Sequence, residues 1–330
     1  MTTALQIAGL GQYLPKQVVL NPQIQSELGV NTDHERLSGV STRHRASIDA
    51  GETTVKMAAK ASIKACEDAQ IDPSELDLIL HCSAIPEQAL PDTASLIQAE
   101  LELGHTGVQC QSVHMSCLGF VAALELASLY IATQKKRCIL IVCAELGSVG
   151  LNPKDPKTYS LFGDGAAAAV VIPTPEGARS QLITSHFETH SEHATAAQIK
   201  GGGTRRHPNT SHCQPEDNYF SMNGPLLLRG SLRHARTVLQ PFVAHLPNGL
   251  ESIDLIVPHQ PSKVGLQAMQ KALPAERMHT TLAQLGNCIS ASIPLTLIDA
   301  RDKGLFQRGH TLLLIGTGAG LTIGGALLKW

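Results

Sequence analysis

Short apolar runs alternate with longer amphipathic stretches along the chain, and this alternation is typical of an α/β protein. The apolar runs predict buried strands, whereas apolar residues at helical spacing predict helices that pack on a sheet. The predicted strands are Leu76–His81, Cys138–Cys143, Ala166–Ile172, Asp254–Val257 and Thr311–Ile315. The predicted helices are Thr53–Ala69, Thr93–Leu103, Leu118–Thr133, Lys263–Ala272 and Ser290–Asp302.

These elements occur twice in the same order. Asp77–Leu80 in the first half and Asp254–Val257 in the second half each precede a turn and a helix. In each half a short cysteine-bearing segment then opens another helix, Ser116–Gly119 and Gly286–Cys288 respectively, and a further strand follows. The repeated order predicts two related halves.

A pseudo-twofold relation between the halves would bring equivalent loops together. We expect the halves to span residues 1–172 and 173–330, each as a βαβαβ-type unit. The first half carries Cys117, and the second carries His259 and Asn287. The repeat therefore predicts that these three side chains meet at one place.

The second half contains a polar segment at about 185–218 that is rich in Gly, His, Pro and Thr and predicts a surface insertion. Its histidines and its cysteine match no compact zinc-binding spacing, and Gly201–Gly203 interrupts them, so we expect no metal site. The residues considered are His186, His190, His193, His207, His212 and Cys213.

Composition and charge exclude several classes of protein. Lys and Arg number 26 against 28 Asp and Glu, so the basic excess of a nucleic-acid binder is missing. The apolar stretch from Thr311 to Leu328 contains five glycines, which predicts a strand, a turn and a strand rather than a membrane span. No signal peptide is visible, and the 8 cysteines form no C-x-x-C pair, so we expect reduced thiols in the cytoplasm.

Three positions have the residue types and surroundings of reactive groups. Cys117 opens a helix, where unpaired backbone N–H groups would lower the pKa of its thiol and favour the thiolate. His259 follows a strand at its C-terminal end, where α/β sheets place ligands. Asn287 lies between Gly286 and a helix. Taken singly, each position also suits a structural role, as an inert core cysteine, a buried histidine and a turn or N-cap asparagine.

The sequence resembles the thiolase-fold condensing enzymes, and among them β-ketoacyl-acyl-carrier-protein synthase III. The likeness spans the whole chain, with all motifs in order, down to a terminal Trp330. The segments that carry it are Gly9–Pro15, Ser116–Phe120, Leu161–Ala166, Pro258–Gln260, Gly286–Pro294 and Gly316–Thr322. The resemblance implies a thiolase-like fold, in which two pseudo-symmetric halves form a layered α-β-α-β-α core.

The resemblance also implies roles for the candidate residues. Cys117 would take an acyl group from a thioester, and His259 and Asn287 would bind the thioester carbonyl of a malonyl-type extender and stabilise the enolate left by decarboxylation. The backbone N–H groups of Cys117 and Ala319 would form the oxyanion hole. Because decarboxylation drives the step, no metal or redox cofactor is expected.

Some positions depart from the family pattern. No Trp occurs in Asp33–Ser38, where relatives that prime from acyl-CoA carry one, and Pro156 stands where they have a second nucleotide-contacting Arg. These changes favour a donor held on a carrier protein, or CoA bound in another way. Pro261 and Ser262 replace the usual Ala-Asn after the His-Gln pair, which suggests a specialised relative that makes a secondary metabolite or an unusual lipid.

The resemblance gives two expectations about partners. Leu90 matches the residue that extends into the partner subunit's acyl tunnel, so a homodimer is expected. An acidic acyl carrier protein is the other expected partner, and the candidates for docking it are Lys263, Arg205 and Arg206.

Two other functions remain open at this stage. One is transfer of the acyl group from Cys117 to a hydroxyl or amine, without a new carbon–carbon bond. Such a transfer needs only a base, so the retention of both His259 and Asn287 favours condensation. The other is a non-catalytic subunit of a heterodimer, which would have no reason to keep the nucleophile.

Overall fold

The computed structural model describes residues 2–29 and 38–330. Its strands are β1 (Leu5–Tyr13), β2 (Gln17–Leu20), β3 (Thr42–Arg45), β4 (Leu78–His81), β5 (Gln109–Ser112), β6 (Ile139–Glu145), β7 (Gly165–Pro173), β8 (Gln181–Thr189), β9 (Ala197–Gln198), β10 (Ser221–Met222), β11 (Leu255–Pro258), β12 (Thr311–Gly318) and β13 (Thr322–Lys329). Its α-helices are α1 (Asn21–Leu28), α2 (Thr54–Ala69), α3 (Thr93–Glu100), α4 (Gly119–Ala132), α5 (Pro156–Tyr159), α6 (Gly224–Val243), α7 (Lys263–Met269), α8 (Leu282–Leu285) and α9 (Ser292–Asp302).

The two large sheets have the same pairing pattern. The first has the order β1-β7-β6-β4-β5, with two antiparallel pairs followed by two parallel pairs. The second has the order β8-β13-β12-β11, with two antiparallel pairs followed by one parallel pair. Where the first sheet has β5, the second keeps a single parallel bridge between Ile256 and Met278. The repeated order expected from the sequence is therefore present in the strand pairing.

Helices lie between and outside the sheets. The central helices α4 and α9 contact strands of both sheets, and their side chains form one apolar core with those strands. Helix α2 covers the outer face of the first sheet, and α6 covers that of the second. The result is the α-β-α-β-α layering that the resemblance implies.

The alanine-rich face of α2 explains its close approach to the sheet. Ala58, Ala61 and Ala65 are fully buried, and Gly11 on β1 faces them. A Cβ atom at Gly11 would lie 2.2 Å from the Ala61 carbonyl oxygen, so only glycine permits this spacing. Thr53 caps the helix by accepting a hydrogen bond from the Lys56 N–H.

The structure corrects one predicted boundary. The polar insertion does not begin at residue 185, because β8 continues to Thr189 and pairs there with Thr322 of β13. The polar residues from 185 to 189 belong to a half-buried edge strand, not to a loop, and one side of this strand faces α6. The glycine-rich stretch 311–328 is a strand, a turn and a strand, as predicted. Over residues 2–29 and 38–330, no helix combines the length and the apolar character needed to cross a membrane.

Candidate active site

Three loops at the ends of core elements carry the predicted residues. Cys117 lies in a 3₁₀ turn, Ser116–Leu118, directly before α4. His259 follows β11, and its backbone N–H donates to the Ile315 carbonyl of β12 at 2.8 Å. Asn287 lies between α8 and a second 3₁₀ turn, Ile289–Ala291, which opens α9.

These loops pack against one another. The two 3₁₀ turns are in contact, and the first also contacts β12. Gly316 lies between His259 and Leu118, because a Cβ atom added there would be 2.5 Å from the His259 Cβ and 3.3 Å from a Leu118 methyl carbon. The Asn287 amide nitrogen donates to the carbonyl of Pro261, two residues after His259, at 3.5 Å. The structure thus brings the three predicted loops to one place.

The backbone N–H groups of Cys117 and Ala319 lie near enough to the Cys117 sulfur to lower the pKa of its thiol. These are the two groups that the resemblance predicts to form the oxyanion hole. Burial first, and the negative charge of Glu145 second, nevertheless raise the thiol pKa to about 12, against the lowering effect of the two N–H groups. The sequence-based expectation of a lowered pKa at the helix N-terminus was therefore wrong, because desolvation outweighs the backbone dipoles.

His259 is a buried, neutral imidazole. Its side chain is almost completely inaccessible to solvent, and desolvation lowers its pKa to about 3. Its Nδ1 has no hydrogen-bond partner among the described residues. At neutral pH the ring therefore carries one N–H and no charge, so it can donate a hydrogen bond to a developing anion without itself needing a counter-ion.

The orientation of Asn287 is fixed by its amide oxygen. That oxygen accepts from the Ile289 N–H at 2.9 Å and from the Ser292 hydroxyl at 3.5 Å. The backbone N–H of Asn287 donates to the Leu161 carbonyl at 2.9 Å. Because the oxygen is occupied by donors and the NH₂ group already donates to the Pro261 carbonyl, one amide hydrogen remains to be donated to a substrate.

Glu145 is a site residue that the sequence analysis missed. It ends β6, is fully buried, and accepts hydrogen bonds from the Ala84 N–H at 2.6 Å and from the Ser290 hydroxyl through Oε1. Its Oε2 has no partner within the described part of the chain. Burial raises its pKa to about 7. The signal was a single acidic residue at the end of an otherwise apolar strand, ILIVCAE.

Asp164 has a structural role beside the site. This buried carboxylate accepts from the Ala46 N–H at 2.8 Å, the Ser148 N–H at 2.9 Å and the Ser148 hydroxyl at 2.6 Å. It therefore joins three segments behind the site.

An apolar channel of about 510 Å³ adjoins the site. Its lining includes residues of α6 and α7, together with Gly316, which lies against His259, and Leu161, whose carbonyl accepts from the Asn287 N–H. Leu227 and Leu228 of α6 line the channel, whereas Leu226 and Phe187 do not. Other residues that line the channel include Lys157, Leu232 and Val264.

Comparison with known proteins agrees with this geometry. The family described as 3-oxoacyl-[acyl-carrier-protein (ACP)] synthase III matches residues 112–191, and its C-terminal counterpart matches residues 247–330. The β-ketoacyl-[acyl-carrier-protein] synthase III of Oleidesulfovibrio alaskensis is 32% identical over 337 residues, covering 100% of both chains.

The chain belongs to the β-ketoacyl-acyl-carrier-protein synthase III family. It is therefore an enzyme of this type. The crystal structure of the synthase III from Aquifex aeolicus matches with a TM-score of 0.87 and 29% identity, covering 99% of this chain and 100% of the other. The priming β-ketosynthase of the R1128 polyketide pathway also matches with a TM-score of 0.87, at 25% identity, covering 99% and 96%. The thiolase-like fold is thereby confirmed.

Leu90 and Pro156, two further residues singled out from the family pattern, lie in the described part of the chain. Leu90 is 84% exposed at the tip of the loop that follows β4. Asp33–Leu37, part of the segment that lacks the family's Trp, lie outside the described residues. Pro156 begins α5, and the next residue, Lys157, lines the channel.

The three predicted docking residues differ in position. Lys263 begins α7, between channel-lining residues 262 and 264. Arg205 is exposed on the polar insertion. Arg206 forms an ion pair with Asp217 at 3.7 Å and donates to the His212 carbonyl, so it also shapes the insertion itself.

Proposed function

We propose that the enzyme catalyses the decarboxylating Claisen condensation of a Cys117-bound acyl group with a malonyl-type thioester, giving a β-ketoacyl thioester for fatty-acid or specialised-metabolite biosynthesis. The single observation that carries this proposal is the meeting of an acylatable thiol, beside the backbone N–H groups of Cys117 and Ala319, with two neutral side-chain donors, His259 and Asn287. The family membership supports it.

In the first half-reaction, the Cys117 sulfur attacks the carbonyl carbon of an acyl thioester and loses its proton. The carbonyl oxygen becomes an oxyanion, and the N–H groups of Cys117 and Ala319 stabilise it. Collapse of this intermediate releases the donor thiol, which takes up the proton, and leaves the acyl group on the sulfur.

In the second half-reaction, the malonyl thioester carbonyl binds His259 and Asn287. Loss of CO₂ leaves the electron pair on the α-carbon, and the resulting enolate oxygen accepts from both donors. The α-carbon then attacks the acyl-Cys117 carbonyl, and the Cys117 thiolate leaves and takes up a proton from water. A pKa of about 3 keeps His259 neutral, which suits a hydrogen-bond donor to an enolate better than a general acid.

The charges beside the channel support a carrier protein as the partner. Lys157 lines the channel, Lys263 borders it, and α6 exposes Arg229 and Arg233 next to channel-lining leucines. These positive charges beside the channel would attract an acidic carrier protein and its thioester arm. The 84% exposed Leu90 supports a homodimer, because a large apolar side chain at a loop tip gains stability when a partner subunit covers it.

The test separates the two half-reactions. Purified wild type, His259→Ala and Asn287→Ala are exposed to an acyl donor, and acylation is followed by the mass of the intact protein. Malonyl-carrier protein is then added, and CO₂ and the β-ketoacyl product are measured. We expect all three proteins to acylate and both variants to lose about 100-fold or more in condensation. Acylation followed by ester or amide formation, without CO₂ release, would overturn the proposal.

A further inference from the structure

A cluster of two imidazoles and one carboxylate lies on the outer face of the second sheet, apart from the catalytic residues. Glu188 lies near the end of β8, His190 follows that strand, and His234 and Thr237 lie on α6. One possible ligand atom each from Glu188, His190 and His234 lies within 4.8 Å of the other two. We infer that these three residues form a binding site for a divalent transition-metal ion, with Zn²⁺ as the matching type.

The distances suit such an ion. The His190 Nε2 lies 3.2 Å from the Glu188 Oε2. Two ligand atoms that each lie about 2.1 Å from a tetrahedral zinc ion are roughly 3.4 Å apart, so this pair already has nearly the required separation. The third ligand atom, on His234, lies within 4.8 Å of the other two, and a rotation of the His234 ring can bring it to the same separation.

The His234 ring has an unpaired nitrogen that a metal ion could occupy. Its Nε2 is buried and has no hydrogen-bond partner among the described residues, although its ring stacks on that of His190 with the centroids 3.4 Å apart. A metal ion bound there would satisfy the unpaired nitrogen.

The surroundings complete the pattern of a metal site. His186 donates to the other carboxylate oxygen of Glu188, Oε1, at 3.2 Å, and Thr237 donates to Oε2 at 3.3 Å. Such outer contacts orient a carboxylate toward an ion. Glu188 and His190 keep side-chain exposures of 25% and 18%, so water can reach a remaining coordination position. Two nitrogen ligands with one oxygen ligand favour zinc or a similar metal over calcium or magnesium.

The sequence analysis expected no metal here because it considered only the polar segment around 185–218. His234 lies on α6, outside that segment, and only the packing of α6 on β8 brings it to His190. Since the same helix carries channel-lining Leu227, Leu228 and Leu232, a bound ion would tie the channel wall to the sheet.

The test is titration of the full-length protein with Co²⁺ and Zn²⁺ under reducing conditions, followed by calorimetry and by the visible spectrum of cobalt. We expect one ion per chain, with a cobalt spectrum that lacks the charge-transfer band of thiolate ligands. Thr237→Val, which removes an outer contact, should weaken binding about tenfold. Glu188→Gln, His190→Ala and His234→Ala each remove a ligand and should weaken it at least as much, on the order of 100-fold. Saturating Zn²⁺ should also raise the thermal midpoint of the wild type but not of His234→Ala.

The matched control is His212→Ala, which removes an exposed histidine of the polar insertion and should bind the ion like the wild type. Acylation of Cys117 and far-UV circular dichroism show that each variant is folded. The proposal is overturned if the ion binds through cysteine, if folded His190→Ala and His234→Ala variants bind as tightly as the wild type, or if the wild type binds no ion at micromolar concentrations.

Discussion

Replacing Gly316 by alanine would push a methyl group into the space beside His259. The added Cβ would lie 2.5 Å from the His259 Cβ, about 0.9 Å closer than the 3.4 Å at which ordinary contact begins. It would also lie 3.3 Å from a Leu118 methyl carbon, so the backbone cannot simply move the other way. His259 must therefore shift by nearly 1 Å relative to Cys117.

A shift of this size has a calculable consequence. A misplacement of about 1 Å can cost roughly 100-fold in rate, which corresponds to about 2.7 kcal/mol of transition-state stabilisation. Overpacking of this kind costs roughly 1–3 kcal/mol in folding stability as well. We expect the loss mainly in condensation, because His259 is proposed to act on the extender, and a smaller loss in acylation of Cys117.

The assay measures acylation by the mass of the intact protein and condensation by release of CO₂ from pre-acylated enzyme. Gly104→Ala is the control, because a Cβ atom there meets nothing within 4 Å. A folded Gly316→Ala enzyme that condenses at the wild-type rate would refute the placement of His259, as would a loss confined to acylation.

Three further predictions concern the charges and the apolar loop. Glu145→Gln removes a negative charge that raises the pKa of the Cys117 thiol, so acylation measured by rapid quench should be faster above pH 7, about tenfold for each unit by which that pKa falls. Below about pH 6 the rate should not change, because Glu145, with its pKa of about 7, is protonated there. An unchanged rate above pH 7 would contradict this prediction. Because the pKa of His259 is lowered to about 3, condensation by pre-acylated Glu145→Gln enzyme should show no inflection near pH 6.5, and an inflection there would mean that the imidazole titrates. Leu90→Ala should extend the range of acyl chains that acylate the enzyme, tested with a panel of acyl thioesters, whereas Leu305→Ala, at another exposed leucine, should not; identical selectivity in both variants would place Leu90 outside the acyl tunnel.

Most of the fold follows from local patterns. The predicted strands and helices match the observed ones within a few residues, because buried strands and Ala-rich helices have distinct periodicities. The repeat of Asp77–Leu80 in Asp254–Val257 correctly predicted that equivalent loops meet. Strand β8 was misassigned, since an edge strand with polar residues has the composition of a loop.

The sequence allowed the residues of the candidate site to be predicted, but not their pKa values. Cys117, His259 and Asn287 are recognisable from their motifs, whereas the pKa values of the thiol and the imidazole depend on burial that no local pattern shows. Glu145 and His234 were missed for a related reason. Their importance comes from residues far along the chain, Ser290 and His190, which only the tertiary packing brings to them.

The most direct test of the account is the mass of the intact protein after exposure to a panel of acyl-CoAs and acyl-carrier proteins. Wild type and Cys110→Ala, which removes another partly accessible cysteine, should each gain the mass of one acyl group, whereas Cys117→Ala should gain none. The donor that reacts best then identifies the thioester class. A folded wild-type enzyme that gains no mass from any donor, or a Cys117→Ala variant that gains as much as the wild type, would contradict the covalent mechanism.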